Sequence, residues 1–203
     1  MKAETPHFLE GKRTYLRGIT AEDVPRIAAW SDDRVVTRFL FRGAYPADVE
    51  TMERARQQTV ANPHEVELAV MDREDDAFIG VTGLHGINPV ARTGEFRILL
   101  GEKDYWGGGR GTEVCLLMCV YGFEVLNLNK VWLGVTSDNL AALRSYEKSG
   151  FVKEGALRQE VYRNSTYYDA IRMSLLRTEY DAALPGWPVA EEAAAMFPRP
   201  KQG

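Results

Sequence analysis

The chain has 203 residues, 45% hydrophobic and 27% charged, with a formal net charge of −4. That composition excludes general disorder and suits one compact domain able to bury a sizeable core without metals or disulfides. The mild acidity argues against broad electrostatic binding to nucleic acid or to an anionic membrane, and no apolar run reaches the about 18 residues of a spanning helix. Residues 1–10 are polar, so no secretory leader is expected there. The two cysteines, Cys115 and Cys119, fall four apart in a helical pattern and read as small buried hydrophobes; no metal-ligand set accompanies them, and free thiols suit a reducing cytoplasm.

Taken in chain order, 13–17 reads as a first short strand. Thr20 opens an imperfect capping box before a helix over 21–31, ended by Asp32 and Asp33. A second helix is predicted over 47–59, introduced by Pro46 and stopped by Asn62 and Pro63. Strands at 65–72 and 77–84 form a hairpin around a charged turn, and a further strand runs over 93–100. A glycine-rich stretch follows, then a helix over 113–126, where Val114, Leu117, Met118, Tyr121 and Val125 recur at helical spacing. The spacing predicts a strand at 130–136 and a helix over 139–149 with Gly150 just past its end. A closing hairpin is expected from 151–162 and 166–176. The stretch from Pro185 holds four of the nine prolines and reads as a short docking helix or a loose appendage. The order β-α-α-β-β-β-α-β-α-β-β predicts an α/β (α+β) domain around one mixed, largely antiparallel sheet, with a domain over 8–181 and an extension over 182–203.

Two places carry chemistry. A strand leads into Gly107, Gly108, Gly109, Arg110 and Gly111, and a helix follows. Glycines let consecutive N–H groups converge, and a helix N-terminus adds positive partial charge, so the segment reads either as a phosphate site or as a plain tight turn. It lacks the lysine of a Walker loop and the third glycine of a dinucleotide fingerprint. Asn139 and Tyr146 lie two helical turns apart and share a face; they read as the lining of a ligand groove, or as a helix cap and a core aromatic.

The segments 105–113 (YWGGGRGTE), 127–132 (NLNKVW) and 139–151 (NLAALRSYEKSGF), together with 9–17 (LEGKRTYLR), 154–158 (EGALR) and 168–173 (YDAIRM), resemble in order and spacing the GNAT superfamily of acetyl-CoA-dependent N-acetyltransferases. The resemblance is to the branch that includes ribosomal-protein and spermidine N-acetyltransferases. One departure stands out: the superfamily loop usually opens with Gln or Arg, and Trp106 stands there.

The resemblance implies a sheet splayed between the strand ending at Leu100 and the strand starting at Lys130, its fourth and fifth strands in the expected order. It implies acetyl-CoA as co-substrate and no metal. The backbone of Gly107, Gly108, Gly109, Arg110, Gly111 and Thr112 would hold the pyrophosphate. Ile98, Leu99 and Leu100 would pair with pantetheine like an added strand, and Asn139 would touch the cofactor. Tyr146 would protonate the leaving thiolate. Glu95 is the first candidate for the base that frees the amine, with His85 as the other; each reads equally as a structural residue. Asp33 and Phe39, in a segment with Trp30, Arg34, Phe41 and Tyr45, would meet the acceptor beside His85, or its aromatics would cap the core. The expected activity is acetyl transfer to a primary amine of a small molecule such as a polyamine, amino sugar or antibiotic-like amine. The alternatives are a protein N-terminus as acceptor, a non-catalytic acyl-CoA-binding module, or a partner domain using the tail; a homodimer is compatible with each.

Overall fold

The computed structural model describes residues 7–40 and 45–198. One eight-stranded sheet runs through it, built from β1 (Leu9–Glu10), β2 (Thr14–Gly18), β3 (Val66–Asp72), β4 (Phe78–Asn88), β5 (Thr93–Leu100), β6 (Lys130–Thr136), β7 (Val152–Arg163) and β8 (Thr166–Leu176). Their order in space is 1-2-3-4-5-6-8-7. Every neighbouring pair is antiparallel except β5 and β6.

That parallel pair governs the site. It comprises three residue pairs, Thr93–Lys130, Gly94–Val131 and Glu95–Trp132. Past Glu95 the strands run on to Leu100 and Thr136 without further pairing to each other, so the sheet opens where the expected splay falls. On its other side β5 stays paired to β4 up to Leu100–Gly80.

Six helices clothe the two faces: α1 (Val24–Asp32), α2 (Val49–Ala61), α3 (Arg110–Val120), α4 (Leu140–Lys148), α5 (Arg177–Ala183) and α6 (Ala190–Met196). The main core lies under α3, where Val114 through Val120 are all buried against Leu16, Val70, Leu84, Phe96, Val131, Leu133, Met173 and Leu175. These strand residues occupy alternate positions, as one face of a sheet requires. On the opposite face a second cluster covers one end of the sheet, where Ile27 and Trp30 of α1 meet Val81 of β4 and Leu99 of β5. Beyond that cluster the same face of β5 carries Glu95 and Arg97, and Arg172 of β8 lies over the Trp132 ring of β6 at 3.7 Å.

Several boundaries differ from the sequence reading. The first helix opens as a single 3-10 turn (Ala21–Asp23), and the second starts at Val49 because Asp48 caps it, accepting from Thr51 N–H at 2.8 Å. Strand β4 runs on to Asn88, which carries His85 into the sheet. The third helix starts at Arg110 and ends as α-helix at Val120; Tyr121–Val125 form a π-helical turn, with Leu126 N–H donating to Tyr121 C=O at 3.2 Å. The widened turn frees the Phe123 carbonyl, which accepts from Arg177. Helix α5 was not expected. The stretch beyond Pro185 is a docking element through Phe197: Trp187, Val189 and Ala193 are buried in the main core. Among the described residues no helix is long and apolar enough to cross a membrane.

A buried ion pair holds the entry to α1. Arg17 donates two hydrogen bonds to Asp23, at 2.7 and 2.8 Å, and Thr20 N–H donates a third at 2.8 Å, completing the capping box. Burial raises the Asp23 carboxyl, but the bonds from Arg17 and Thr20 outweigh it and hold the group below its ordinary value. Such a carboxylate adds stability that is present above the unfolded pKa of about 3.9 and lost as pH falls through the lower folded value. Asp23→Asn should therefore cost about 3 kcal/mol at neutral pH by leaving Arg17 unpaired, measured by urea unfolding. The difference from the parent should shrink below about pH 4.

Candidate active site

The glycine loop is a backbone device. Gly107, Gly108 and Gly109 have φ of +81°, +59° and +86°, three consecutive left-handed residues that only glycine adopts without strain. Gly109 is the N-cap of α3, so the N–H groups of the loop and of the helix's first turn converge at one end. Arg110 is anchored by an ion pair to the buried Asp72 and lies over the Tyr105 ring at 5.3 Å. The Thr112 hydroxyl shares a hydrogen bond of 2.7 Å with Ser145, tying the loop's helix to α4.

Helix α4 is set by both ends. Asn139 caps it, its side-chain oxygen accepting from Ala142 N–H at 3.3 Å. At the far end Gly150 takes φ +88°, Gly150 N–H donates to Glu147 C=O and Phe151 N–H donates to Tyr146 C=O, each at 3.0 Å, which closes the helix in a Schellman motif. Tyr146 thus sits in the turn that the motif fixes, with its ring 6.0 Å from Phe151 and edge-on to Phe96 at 6.2 Å. Phe96 is the first residue of β5 beyond the last pair with β6. Burial pushes the Tyr146 phenol well above its ordinary value near 10, and the neighbouring Cys115 adds to the shift. The phenol is therefore a protonated donor across the neutral range.

Glu95 points to the other face of the sheet from Phe96 and accepts from Arg97 at 2.6 Å. Directly across on β4 stands His85, whose Nδ1 lies 2.5 Å from Glu65 Oε2. Glu67, two residues past Glu65, faces the same way. Glu65, Glu67, Glu95 and His85 thus line one open face. A cleft of about 240 Å³ between α2 and the sheet adjoins it, bounded by Arg56, Val60, Glu65 and Glu67.

The edge of β5 that faces the opening is defined by parity. Gly101 N–H donates to Ile79 C=O on the β4 side, so the backbone groups of Leu100 and Ile98 turn toward the gap, whereas those of Leu99 turn toward β4. Trp106, the departure from the family loop, has a place here: its indole N–H donates to the Leu100 carbonyl at 2.9 Å. Arg38 stacks between Trp106, at 5.1 Å, and Phe39, at 5.0 Å. Arg163 of the β7–β8 hairpin stacks between Phe39, at 5.2 Å, and Tyr168, at 4.8 Å, and binds Asp138 just beyond β6 at 2.6 Å. The segment after α1 thereby forms a clasp from the glycine loop to the hairpin.

The other acceptor-side expectations divide. Phe39 is in the clasp. Asp33 is committed to its own loop, accepting from Val35 N–H at 2.8 Å and pairing with Lys103 at 2.6 Å, and these bonds hold its carboxyl below the ordinary range. Trp30 is a buried core residue beside Phe78, and Tyr45 is exposed. Phe41 lies outside the described residues. Among the described residues no group of three or more His, Cys, Asp or Glu could hold a metal ion.

Fold, glycine loop and interrupted strand pair together define an acyltransferase of the kind that lays an extended donor into a split sheet. A family model described as "Acetyltransferase (GNAT) domain" matches residues 13–152, and the chain belongs to that family. It is 33% identical over 165 residues to the spermidine N(1)-acetyltransferase of Escherichia coli strain K12, covering 81% of this chain and 87% of that one. A crystal structure of the Vibrio cholerae spermidine N-acetyltransferase in complex with CoA and spermine superposes with a TM-score of 0.78 at 28% identity, covering 84% of this chain and 99% of that one. A dodecameric structure of the Vibrio cholerae enzyme superposes at 0.73 and 27%, covering 84% and 97%.

If the indole bond to Leu100 holds the clasp, Trp106→Phe should loosen it. Limited proteolysis read by mass spectrometry should show faster cleavage within residues 33–40 and 101–109 than in the parent. Cleavage at the parental rate would contradict the role given to Trp106.

Proposed function

We propose that the chain transfers the acetyl group of acetyl-CoA to a primary amine of a small molecule, with a polyamine as the best-fitting acceptor, by direct attack in a ternary complex. The observation that carries this reading is the opening of the β5–β6 pair immediately after Glu95, with Tyr146 packed on Phe96 at that point. A pantetheine arm entering the gap gains backbone partners from Ile98 and Leu100, while Leu99 contributes its side chain to the wall. Its pyrophosphate meets the N–H groups of Gly107 to Thr112, beside Arg110, and Asn139 borders the same slot.

The chemistry has two proton requirements. An alkyl amine, with a pKa of about 10.4, must lose a proton before its nitrogen attacks the thioester carbon. As the C–S bond breaks, the sulfur leaves as a thiolate and must gain one. Tyr146 supplies the second proton from the α4 side; its raised pKa keeps that proton available. Glu95 accepts the first from the opposite side, directly or through water, with His85 beside it. Acid and base thus flank the slot, and a thioester between them is reached by each.

Two features support a cationic small acceptor: Glu65, Glu67 and Glu95 share the open face, and the Escherichia coli and Vibrio cholerae relatives carry spermidine in their names. The same reading places the chemistry in residues 8–181 and treats 182–203 as an accessory segment, with Trp187 and Val189 buttressing the core. It includes a homo-oligomer, for which the dodecameric neighbour is the support, and the cytoplasm, for which the support is the free thiols Cys115 and Cys119.

The test is free-thiol release from acetyl-CoA over a panel of polyamines, amino sugars, aminoglycosides and short peptides. Turnover should be highest with a polyamine; turnover only with peptides would overturn the acceptor assignment. Tyr146→Phe should lower kcat by ~10²-fold or more with acetyl-CoA binding retained. Glu95→Gln should lower kcat/KM most at acidic pH, where a neutral amine is scarcest and the base matters most.

A further inference from the structure

A charged side chain of the first hairpin reaches the glycine loop. Arg13 stands in the turn between β1 and β2, and its backbone is held from both sides. Its N–H donates to Glu113 Oε1 at 3.0 Å, and the Thr14 N–H and hydroxyl donate to the same oxygen at 2.8 Å each. Its carbonyl accepts from Arg73 N–H at 2.8 Å. Glu113 is buried, and it follows Gly109 by four residues on α3. The turn is therefore fastened to the very helix whose N-terminus the glycines build. Gly11 makes room for that fastening, since a Cβ there would meet the Glu113 carboxylate at 2.5 Å.

The Arg13 side chain is arranged differently from its backbone. It is exposed, and among the described residues no carboxylate or other hydrogen-bonding group pairs with its guanidinium. Its Nη1 lies over the loop instead: a Cβ built on Gly108 or on Gly109 would sit 3.7 Å from it. The same point on Gly108 is 3.2 Å from Arg110 Nη1. Two guanidinium groups thus converge on one glycine, at the positive end of a helix and above three left-handed residues whose N–H groups converge. Asp72 balances Arg110. Among the described residues Arg13 has no such counter-charge, and a surface guanidinium free to swing into water gains nothing by standing beside a second one. A shared anion removes that repulsion and offers the planar fork a bidentate partner.

We propose that Arg13 is a phosphate-binding residue of the donor site, donating to the cofactor pyrophosphate from the side of the loop opposite α4. This inference rests on the reading of Gly107 to Thr112 as the pyrophosphate site. It adds to the backbone nest a fixed side-chain charge delivered by the first hairpin, and it explains why that hairpin is fastened to α3 through a buried carboxylate.

Isothermal titration of the full chain with CoA, and separately with dephospho-CoA, at low and high salt tests it. Arg13→Gln should weaken CoA binding about tenfold or more and flatten its dependence on salt, with the melting temperature unchanged. Arg13→Lys should recover part of the loss. The loss should be equal on dephospho-CoA, because that ligand keeps the pyrophosphate and lacks only the 3′-phosphate. Parental affinity and salt dependence in Arg13→Gln, with Gly109→Val still abolishing binding, would overturn the inference and leave the loop reading intact. A loss seen with CoA but absent with dephospho-CoA would overturn the pyrophosphate assignment. Failure of the parent chain itself to bind CoA would remove the loop reading and this inference together.

Discussion

Beyond Glu95, β5 and β6 no longer exchange hydrogen bonds, and the consequences run through the whole molecule. A central strand in a folded sheet normally satisfies both of its edges, and backbone groups withdrawn from water without partners are costly. Here the edge of β5 that carries Ile98 and Leu100 faces a gap between two strands that belong to one sheet. The antiparallel pairs on either flank are continuous along the opening, β4–β5 from His85–Glu95 to Gly80–Leu100 and β6–β8 from Lys130–Leu176 to Thr136–Ala170, so they hold it at a fixed width. The slot is thus a property of the sheet's connectivity: β5 and β6 are parallel, joined by a crossing through α3, and their pairing ends after three residues.

The surrounding elements follow from that opening. Helix α3 begins at the mouth of the slot, and its N-terminal glycines supply converging N–H groups where a strand end and a helix start meet. Helix α4 lies along the same face, fastened to α3 by Thr112 and Ser145 and closed by the Schellman motif that fixes Tyr146. The other face remains open and acidic over β3–β5, with Glu65, Glu67 and Glu95 in cross-strand reach of His85. The slot is therefore bordered by the half-buried Tyr146 on one side and by carboxylates on the other. Trp106 closes part of the edge through the Leu100 carbonyl, and Arg38, Phe39 and Arg163 continue that closure to the hairpin.

Much of this was legible in the residues, for identifiable reasons. Alternating apolar positions in 66–72 and 130–136 mark strands with one buried face, and a run of glycines before a helical pattern marks the loop. Gly150 after Ser149 marks the end of α4. Other features left no usable trace. The π-helical turn preserves the apolar spacing of Tyr121 and Val125, so periodicity carries the α-helix past its true end. Helix α5 had a signal, since Glu179 accepts from Leu176 N–H at 2.8 Å as an N-terminal cap partner, but it follows a strand without a break. His85 looked like the end of a strand and lies inside one, which is why it faces Glu95. The carboxylate of Asp33 looked available for a cation and instead holds its own loop. Arg13 read as the first residue of a strand, whereas it stands in the turn before β2, and only the fold brings it over the glycines. Trp106, an apparent defect in the loop pattern, is explained by a hydrogen bond that spacing cannot reveal.

The central claim is that the edge of β5 beyond Glu95 and the glycine loop form one continuous donor site. Hydrogen exchange of the chain with and without acetyl-CoA reads that edge directly, because an amide that gains a ligand partner exchanges more slowly. The account predicts new protection at residues 96–100 and 107–112 together, with the outer strand β7 unaffected. Protection confined to the cleft between α2 and the sheet, or absent from both donor segments, would contradict it.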